Sequence, residues 1–218
     1  MLESLQRRIA ETYQADTGHD VRDFLITDSR VAHALSGGNV LTKSGETLLV
    51  REDSGGLAMS LYLEAGLLER LETGDPARLL DADRLGDLCK VIEGLSHFVC
   101  VAWRASRDQS VTLFELELQA EVDKYVGTMQ LARETGDPEA LHALHGRLFD
   151  SPRFSDDLDD EQRERYRAAT EYAARFCKRL RQRMLSGGDA VLPELRHFFR
   201  LPLREKLSHI HSMTWSAD

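Results

Sequence analysis

Apolar residues recur at helical spacing along most of the chain after residue 64, and strand-like runs occur only before it. The clearest helical segments are 83–105 and 113–134, which a connection centred on SRDQS joins into a hairpin. Two further segments, 138–149 and 161–185, have the same period of about 3.6 residues. Shorter helical runs complete the pattern at 64–74, 193–200 and 202–212. The C-terminal two thirds of the chain therefore predict a bundle of helices.

The N-terminal third has a different pattern. Residues 2–16 predict a short amphipathic helix, and the run DFLITD at 23–28 is consistent with a strand. Glycine-rich breaks then separate three short runs at 39–43, 47–52 and 57–63. Such breaks are typical of hairpin connections, so these runs predict a small antiparallel meander.

Together these segments predict an α+β fold that is predominantly helical. A small N-terminal antiparallel β-meander with short helices is followed by a multi-helix bundle. We place the α+β part at residues 1–75 and the bundle at 76–218, packed together as one globular unit. The 218 residues suffice for a self-sufficient core.

Two helix starts carry recognisable caps. Thr112, followed three residues later by Glu115, is typical of a capping box, in which the two side chains satisfy backbone N–H groups of the first turn. This pattern gives Glu115 a structural role. Asp137 before Pro138 predicts a second start, because proline is tolerated in the first turn of a helix.

The predicted hairpin carries narrow polar stripes on otherwise apolar helices. On the first helix, Glu93, His97 and Arg104 lie within about 40° of one another on a helical wheel. On the second helix, a polar wedge between two apolar faces consists of Glu117, Glu121, Lys124 and Thr128. An antiparallel register brings His97 level with roughly Glu121, so the two stripes can face each other.

If they do, Glu93, His97 and Glu121 converge between the helices. One imidazole and two carboxylates can form a partial metal shell or an acid–base cluster. The spacing Glu-x-x-x-His differs from the Glu-x-x-His pairs of four-helix carboxylate metal sites. Lys90 and Lys124 favour the alternative that both stripes are solvated charge ladders.

Other side chains are weaker candidates. His142 and His145 lie three residues apart on a predicted helix and could hold a metal ion, although HEXXH is absent and no cysteine lies nearby in sequence. His209 and His211 are two residues apart, which points them to different sides of a helix. Three cysteines without CxxC spacing predict reduced, buried side chains: Cys89, Cys100 and Cys177.

The segment HFFRLPL at 197–203 is compact and apolar, with arginines around it. It either docks into the core or presents an aromatic–arginine patch to a partner.

Net charge narrows the possible partners. A formal charge of −9 argues against general nucleic-acid binding, because phosphate affinity depends on clustered Lys and Arg. The basic stretch RFCKRLRQRM at 175–184 is also explained as the cationic C-terminal end of a helix.

No segment approaches the roughly 18 apolar residues of a membrane span. With reduced cysteines, this predicts a cytoplasmic protein that does not insert into a membrane.

Three functional hypotheses follow. The lack of a catalytic motif favours a protein-interaction or regulatory module without catalytic activity, which binds another protein or associates with itself. The alternative is a metal-dependent or acid–base enzyme built around Glu93, His97 and Glu121, with His142 or His145 as further metal ligands. A third is a small-ligand sensor in which the N-terminal meander covers a helical pocket. The sequence names no cofactor.

Overall fold

The computed structural model describes residues 1–37, 45–54, 56–73, 78–152, 154–155, 158–186 and 191–212. Helices dominate the described chain, and a short 3-10 helix at Val21–Phe24 precedes the first strand. In chain order the elements are α1 (Leu2–Tyr13), β1 (Leu25–Ile26), α2 (Ser29–Leu35), β2 (Glu46–Asp53), β3 (Gly56–Leu63), α3 (Ala65–Glu72), α4 (Ala82–Ala105), α5 (Leu113–Glu134), α6 (Pro138–Phe149), α7 (Asp160–Ser186), α8 (Leu192–Arg200) and α9 (Leu203–Ser212).

The described strands form a mixed sheet in the order β1–β3–β2. β2 and β3 pair antiparallel, with Glu46 opposite Leu63, whereas β1 pairs parallel to β3, with Leu25 opposite Leu61. The predicted α+β class with predominant helix is therefore confirmed, but the predicted antiparallel meander is corrected to a mixed sheet, because β1 pairs parallel to β3. Between β1 and β3 the chain passes through α2 and β2, and a connection of that length allows parallel pairing. The predicted run at 39–43 lies outside the described residues.

The α4–α5 hairpin is the centre of the fold. α4 packs against α5, α1, α3 and strands β2 and β3, so it is buried on nearly all sides between Leu85 and Arg104. Phe98 and Leu95 on this helix have no solvent exposure. Burial of such a side chain contributes roughly 1.5–3 kcal/mol, which explains why a helix this apolar is placed here.

α5 lies between α4 and α7, with α6 alongside it. The predicted capping box at its start is confirmed, since the Glu115 backbone N–H donates to Thr112 Oγ1 at 3.2 Å and the Thr112 N–H donates to Glu115 Oε2 at 3.0 Å. The predicted cap of α6 is confirmed as well, with Asp137 accepting from the Ala140 N–H at 2.9 Å. Because α5 is covered on two sides, its polar wedge is enclosed rather than exposed.

The C-terminal helices close the other side of the bundle. Phe198 and Phe199 are buried, and their rings stack on Phe176 at 4.1 Å and on Tyr13 at 4.6 Å between centroids. Of the two alternatives for the segment 197–203, the structure supports docking into the core, through Phe198 and Phe199. Arg196 extends from α8 to the backbone carbonyl of Thr12 at 3.0 Å.

One helix was not predicted. α2 spans only seven residues and begins where the Asp28 side chain accepts a hydrogen bond from the Arg30 N–H. None of the helices in the described parts of the chain has the length and apolar content that crossing a membrane requires.

Candidate functional site

The α4–α5 hairpin and strand β2 bring six ionisable side chains together in the interior. α4 contributes a carboxylate and an imidazole, α5 contributes two carboxylates and an ammonium, and the first residue of β2 adds a further carboxylate. We call this group the acidic cluster: Glu46, Glu93, His97, Glu117, Glu121 and Lys124.

The predicted triad of Glu93, His97 and Glu121 falls within this cluster, but the imidazole pairs with a different residue. His97 Nε2 lies 3.7 Å from Glu117 Oε2, one helical turn before Glu121 on α5. Glu121 is connected to Glu93 through Lys124, whose Nζ lies 2.5 Å from Glu121 Oε1 and 3.1 Å from Glu93 Oε2. The register of the hairpin therefore differs from the predicted one by about one turn.

Glu46 reaches the cluster because α4 has a glycine at the point of contact. Glu46 Oε1 lies 3.8 Å from His97 Nδ1, on the opposite side of the ring from Glu117. A Cβ on Gly94 would lie 3.0 Å from Glu46 Cγ and 2.9 Å from Leu61 Cδ1. Only a glycine at this position lets the sheet approach α4 closely enough to place the Glu46 carboxylate beside the imidazole.

The imidazole of His97 is held between carboxylates without a hydrogen bond at Nε2. The residue is 8% exposed, and this buried atom has no hydrogen-bond partner among the described residues. Buried polar atoms are nearly always paired, so such an atom points to a missing partner. One donor atom each from Glu93, His97 and Glu117 lies within 4.8 Å of the other two. Imidazole and carboxylate are ligands of Zn²⁺, Mn²⁺ and Fe²⁺.

The cluster holds more acid than base. Four carboxylates against an imidazole and an ammonium leave an excess of two negative charges when all are ionised. Burying uncompensated charge is costly, so the cluster must take up protons or a cation. The pKa values follow this rule. Burial raises the pKa of Glu117 to about 7. Burial alone lowers the pKa of His97, but Glu46 and Glu117 outweigh it and raise that pKa to about 9.

The remaining pKa shifts follow the same balance between burial and neighbouring charges. Burial raises the pKa of Glu46 and of Glu121 above the ordinary value. At Glu93, burial is outweighed by the ammonium of Lys124 and by His97, which hold the pKa of that carboxyl below its usual range. Tyr166 on α7 lies near the cluster, and burial together with the charge of Glu117 raises the pKa of its hydroxyl.

A cleft of about 750 Å³ opens beside the acidic cluster. Glu93, Glu121 and Lys124 form part of its wall, together with Tyr166. Its other walls are mixed. Leu85, Cys89, Leu148, Phe154 and Leu158 are apolar, whereas Lys90, Arg147, Ser151, Ser155 and Thr170 are polar or charged. The volume lies in the range typical of small-molecule sites.

The described residues that line the cleft lie between 82 and 170, on α4, α5, α6, α7 and the segment between α6 and α7. None comes from the described strands. The hypothesis of a small-ligand sensor whose N-terminal meander covers a helical pocket stays a prediction, because residues 38–44 of that meander lie outside the described residues.

The other predicted ligands lie elsewhere. His142 is exposed, and its Nδ1 lies 2.7 Å from the Pro138 carbonyl oxygen of its own helix. His145 Nε2 lies 3.0 Å from the Ala174 carbonyl oxygen on α7. The hydrogen-bond partners of both rings are therefore backbone carbonyls of α6 and α7 and not members of the acidic cluster. Arg104 is also separate, since it donates to the Leu201 carbonyl at 2.9 Å and fixes the connection between α8 and α9.

The cysteines do not supply a nucleophile. Burial raises the pKa of the Cys89 thiol to about 12 and of the Cys100 thiol to about 11. A thiolate is therefore scarcely populated near neutral pH at either position.

Three neighbouring residues were missed or misjudged from the sequence. Glu117 was placed in the polar wedge but not in the triad, since one turn of register decides which carboxylate meets the imidazole. Glu46 comes from a strand and Tyr166 from another helix, so no spacing on the hairpin could point to them. The one usable signal for Glu46 is Gly94, a glycine within an otherwise well-formed helix, which often marks a close backbone approach.

A second buried polar group lies on the same two helices, and we call it the core network: Tyr13, Ser96, Gln119, Asp123 and Lys206. Asp123 accepts hydrogen bonds from Tyr13, from Ser96 at 2.5 Å and from Gln119 at 3.0 Å. Lys206 Nζ donates to Gln119 Oε1 at 3.0 Å and to the Phe198 carbonyl at 2.6 Å.

The chain matches no known protein family, no curated protein and no solved structure. The function proposed below therefore depends on the geometry of the acidic cluster and the cleft.

Proposed function

We propose that this protein is a metal-dependent enzyme that acts on a small molecule in the cleft, with Glu93, His97 and Glu117 as ligands of one divalent cation. The observation that carries the proposal is the buried His97 Nε2. It makes no hydrogen bond to any described residue, and Glu117 Oε2 lies 3.7 Å away. That separation is too long for a hydrogen bond, but it is close to the spacing of two atoms that bind one metal ion about 2.0–2.2 Å from each.

Charge balance supports a divalent cation. A metal-binding imidazole is neutral, so with His97 as a ligand the four carboxylates and Lys124 leave three excess negative charges. One divalent ion offsets two of these and so reduces the protonation that Glu46 and Glu117 otherwise need. The donor set of one nitrogen and two or more carboxylate oxygens suits Zn²⁺, Mn²⁺ and Fe²⁺ better than soft cations, which prefer thiolate and thioether ligands.

An enzyme must also give its substrate access to the metal ion, and the cleft provides this access. Glu93 belongs both to the donor set and to the cleft wall, so a cation bound there would lie next to a ligand in the cleft. A metal ion in that position can polarise a ligand oxygen or lower the pKa of a bound water. Glu121, on the same wall, is placed to exchange a proton with the bound molecule.

The hypothesis of a protein-interaction module remains a prediction. It accounts for the amphipathic helices, but it explains neither the cleft nor the buried imidazole. We therefore place it second.

The deciding experiment is metal analysis of the purified protein and of the protein loaded with Mn²⁺ or Zn²⁺ after removal of bound metal. We expect about one ion per chain in the wild type, because one such set of N/O ligands lies in the part of the chain that the structure describes. In His97→Ala we expect affinity to fall by at least tenfold, which is the smallest loss typical even of residues behind the ligands. His142→Ala is the matched control, since His142 is exposed on α6 and should leave binding unchanged.

Chelator provides an independent measurement. Removing a bound ion should lower the melting temperature of the wild type and of His142→Ala, but not that of His97→Ala. A wild-type protein that holds no metal ion and melts identically with and without chelator would overturn the proposal.

A further inference from the structure

The position of Lys124 bears on how many metal ions the cluster holds. Its side chain is 13% exposed, and its Nζ lies between Glu93 Oε2 at 3.1 Å and Glu121 Oε1 at 2.5 Å. Two carboxylates from two different helices thus converge on one cationic atom. This is the arrangement that binds a metal ion in helical carboxylate proteins, here with an ammonium at its centre.

Glu93 connects this ammonium to the proposed metal site. Its carboxylate contacts Lys124 and also belongs to the donor set with His97 and Glu117. In sites with two metal ions, a carboxylate commonly bridges ions that lie about 3.5–4 Å apart. The Lys124 ammonium therefore occupies the place, beside the bridging carboxylate, that a second ion would take.

We propose that Lys124 acts as a built-in cation in place of a second metal ion, so that the cluster binds a single divalent cation. The inference depends on the proposed function, because it assumes a cation at Glu93, His97 and Glu117. It adds a specific role for Lys124, which sets the number of ions and keeps a fixed positive charge on the cleft wall.

Loss of this ammonium should open the second position. In Lys124→Met the carboxylates of Glu93 and Glu121 lose their shared cation. With one divalent ion bound at the neutral His97, the excess negative charge of the cluster rises from one to two. A second divalent ion restores both the contacts and the charge balance. Methionine has an unbranched chain of similar length, so the packing around α5 should change little.

The experiment is Mn²⁺ titration of metal-free protein, with bound ion measured after dialysis and the spectrum recorded by electron paramagnetic resonance. We expect about one Mn²⁺ per chain in the wild type and about two in Lys124→Met. Lys90→Met is the matched control. Lys90 lines the same cleft one turn before Glu93, so this variant removes an equal charge and should still bind one ion.

The outcomes separate the two proposals. A wild type that binds no Mn²⁺ overturns the proposed function and this inference with it. A wild type that binds one ion, with Lys124→Met also limited to one or none, overturns only the inference. If Lys124→Met lacks the circular dichroism spectrum of the wild type, Lys124→Gln replaces it. The electron paramagnetic resonance spectrum of the wild type tests the inference without any variant. Spin coupling between two Mn²⁺ ions in that spectrum would overturn it.

Discussion

The acidic cluster and the core network lie side by side on α4 and α5, yet they differ in how their polar atoms are paired. Ser96, in the core network, is adjacent in sequence to His97, in the acidic cluster. Asp123 accepts three hydrogen bonds, whereas the nitrogens of the His97 ring lie 3.7 and 3.8 Å from the nearest oxygens of Glu117 and Glu46. The core network balances one acid with one base, whereas the acidic cluster holds two excess acids.

Burial and shifted pKa values do not by themselves distinguish a candidate site from a structural polar group. Both groups are buried, and both shift pKa values. Burial raises the pKa of Asp123 to about 6 and lowers that of Lys206 to about 7. Only the acidic cluster combines surplus charge, a buried atom without a hydrogen bond to described residues, and a cleft. The core network is complete as it stands, so its role is to hold α1, α4, α5 and α9 together.

The largest expected effect comes from a matched pair of isosteric changes, Asp123→Asn and Glu117→Gln. The first removes the acid that three donors and the nearby Lys206 require. We expect it to lower the free energy of unfolding by about 3 kcal/mol, because a buried donor that loses its acceptor costs about 1–3 kcal/mol. The second removes surplus negative charge, so metal-free protein should keep its stability within about 1 kcal/mol or gain. Urea unfolding at pH 7.5 with chelator measures both.

Similar losses of unfolding free energy in Asp123→Asn and Glu117→Gln would contradict this prediction. Glu117 would then be as structural as Asp123, and the surplus charge would have no functional meaning. Metal affinity is the second measurement, since only Glu117→Gln should weaken it.

The next effect concerns pH and Lys206. The folded-state pKa of Lys206, about 7, lies below the ordinary value of 10.5. Between these values the unfolded chain holds a proton that the folded chain has released, so raising the pH favours folding through this group. We expect the stability of the wild type relative to Lys206→Met to rise by about 2 kcal/mol from pH 7 to pH 9.

The difference in unfolding free energy between the wild type and Lys206→Met isolates the titration of Lys206 from that of other groups. His97 and Glu117 are present in both, so their contributions to the pH dependence cancel. Unfolding free energies at several pH values provide the measurement. A difference that stays constant between pH 7 and pH 9 would show that Lys206 remains charged in the core network.

The smallest expected effect concerns the approach of the sheet to α4. Gly86→Ala should raise stability by about 0.5–1 kcal/mol, because glycine is unfavourable within a helix and no heavy atom lies within 4 Å of the added Cβ. Gly94→Ala gains the same propensity but places its Cβ 2.9 Å from Leu61 Cδ1 and 3.0 Å from Glu46 Cγ. Overpacking of this kind costs about 1–3 kcal/mol, so we expect a net loss of about 1 kcal/mol.

Thermal unfolding and metal binding together check this prediction. Gly94→Ala should also weaken Mn²⁺ binding, since Glu46 must move away from His97. Equal stability gains in both alanine variants would mean that the sheet yields without strain and that Glu46 is loosely placed.

Much of the fold could be predicted because helices are encoded locally. The capping box of Thr112 and Glu115 and the start of α6 at Asp137 depend on residues within one turn, and the structure has both. The parallel pairing of β1 with β3 was missed because two-residue β1 pairs with residues about 36 positions later. No local pattern specifies a partner at that distance.

Helical periodicity alone shows that Glu93 and His97 share one polar stripe on α4, because it fixes which residues lie on one face of a helix. Which acids face that stripe depends on how the elements pack together. Asp123 and Glu117 are both acids buried on α5, yet one meets Ser96 and Tyr13 and the other meets His97. The physical reason is that a buried charge is satisfied by partners from other elements, including Glu46 on the sheet, and packing alone places those partners.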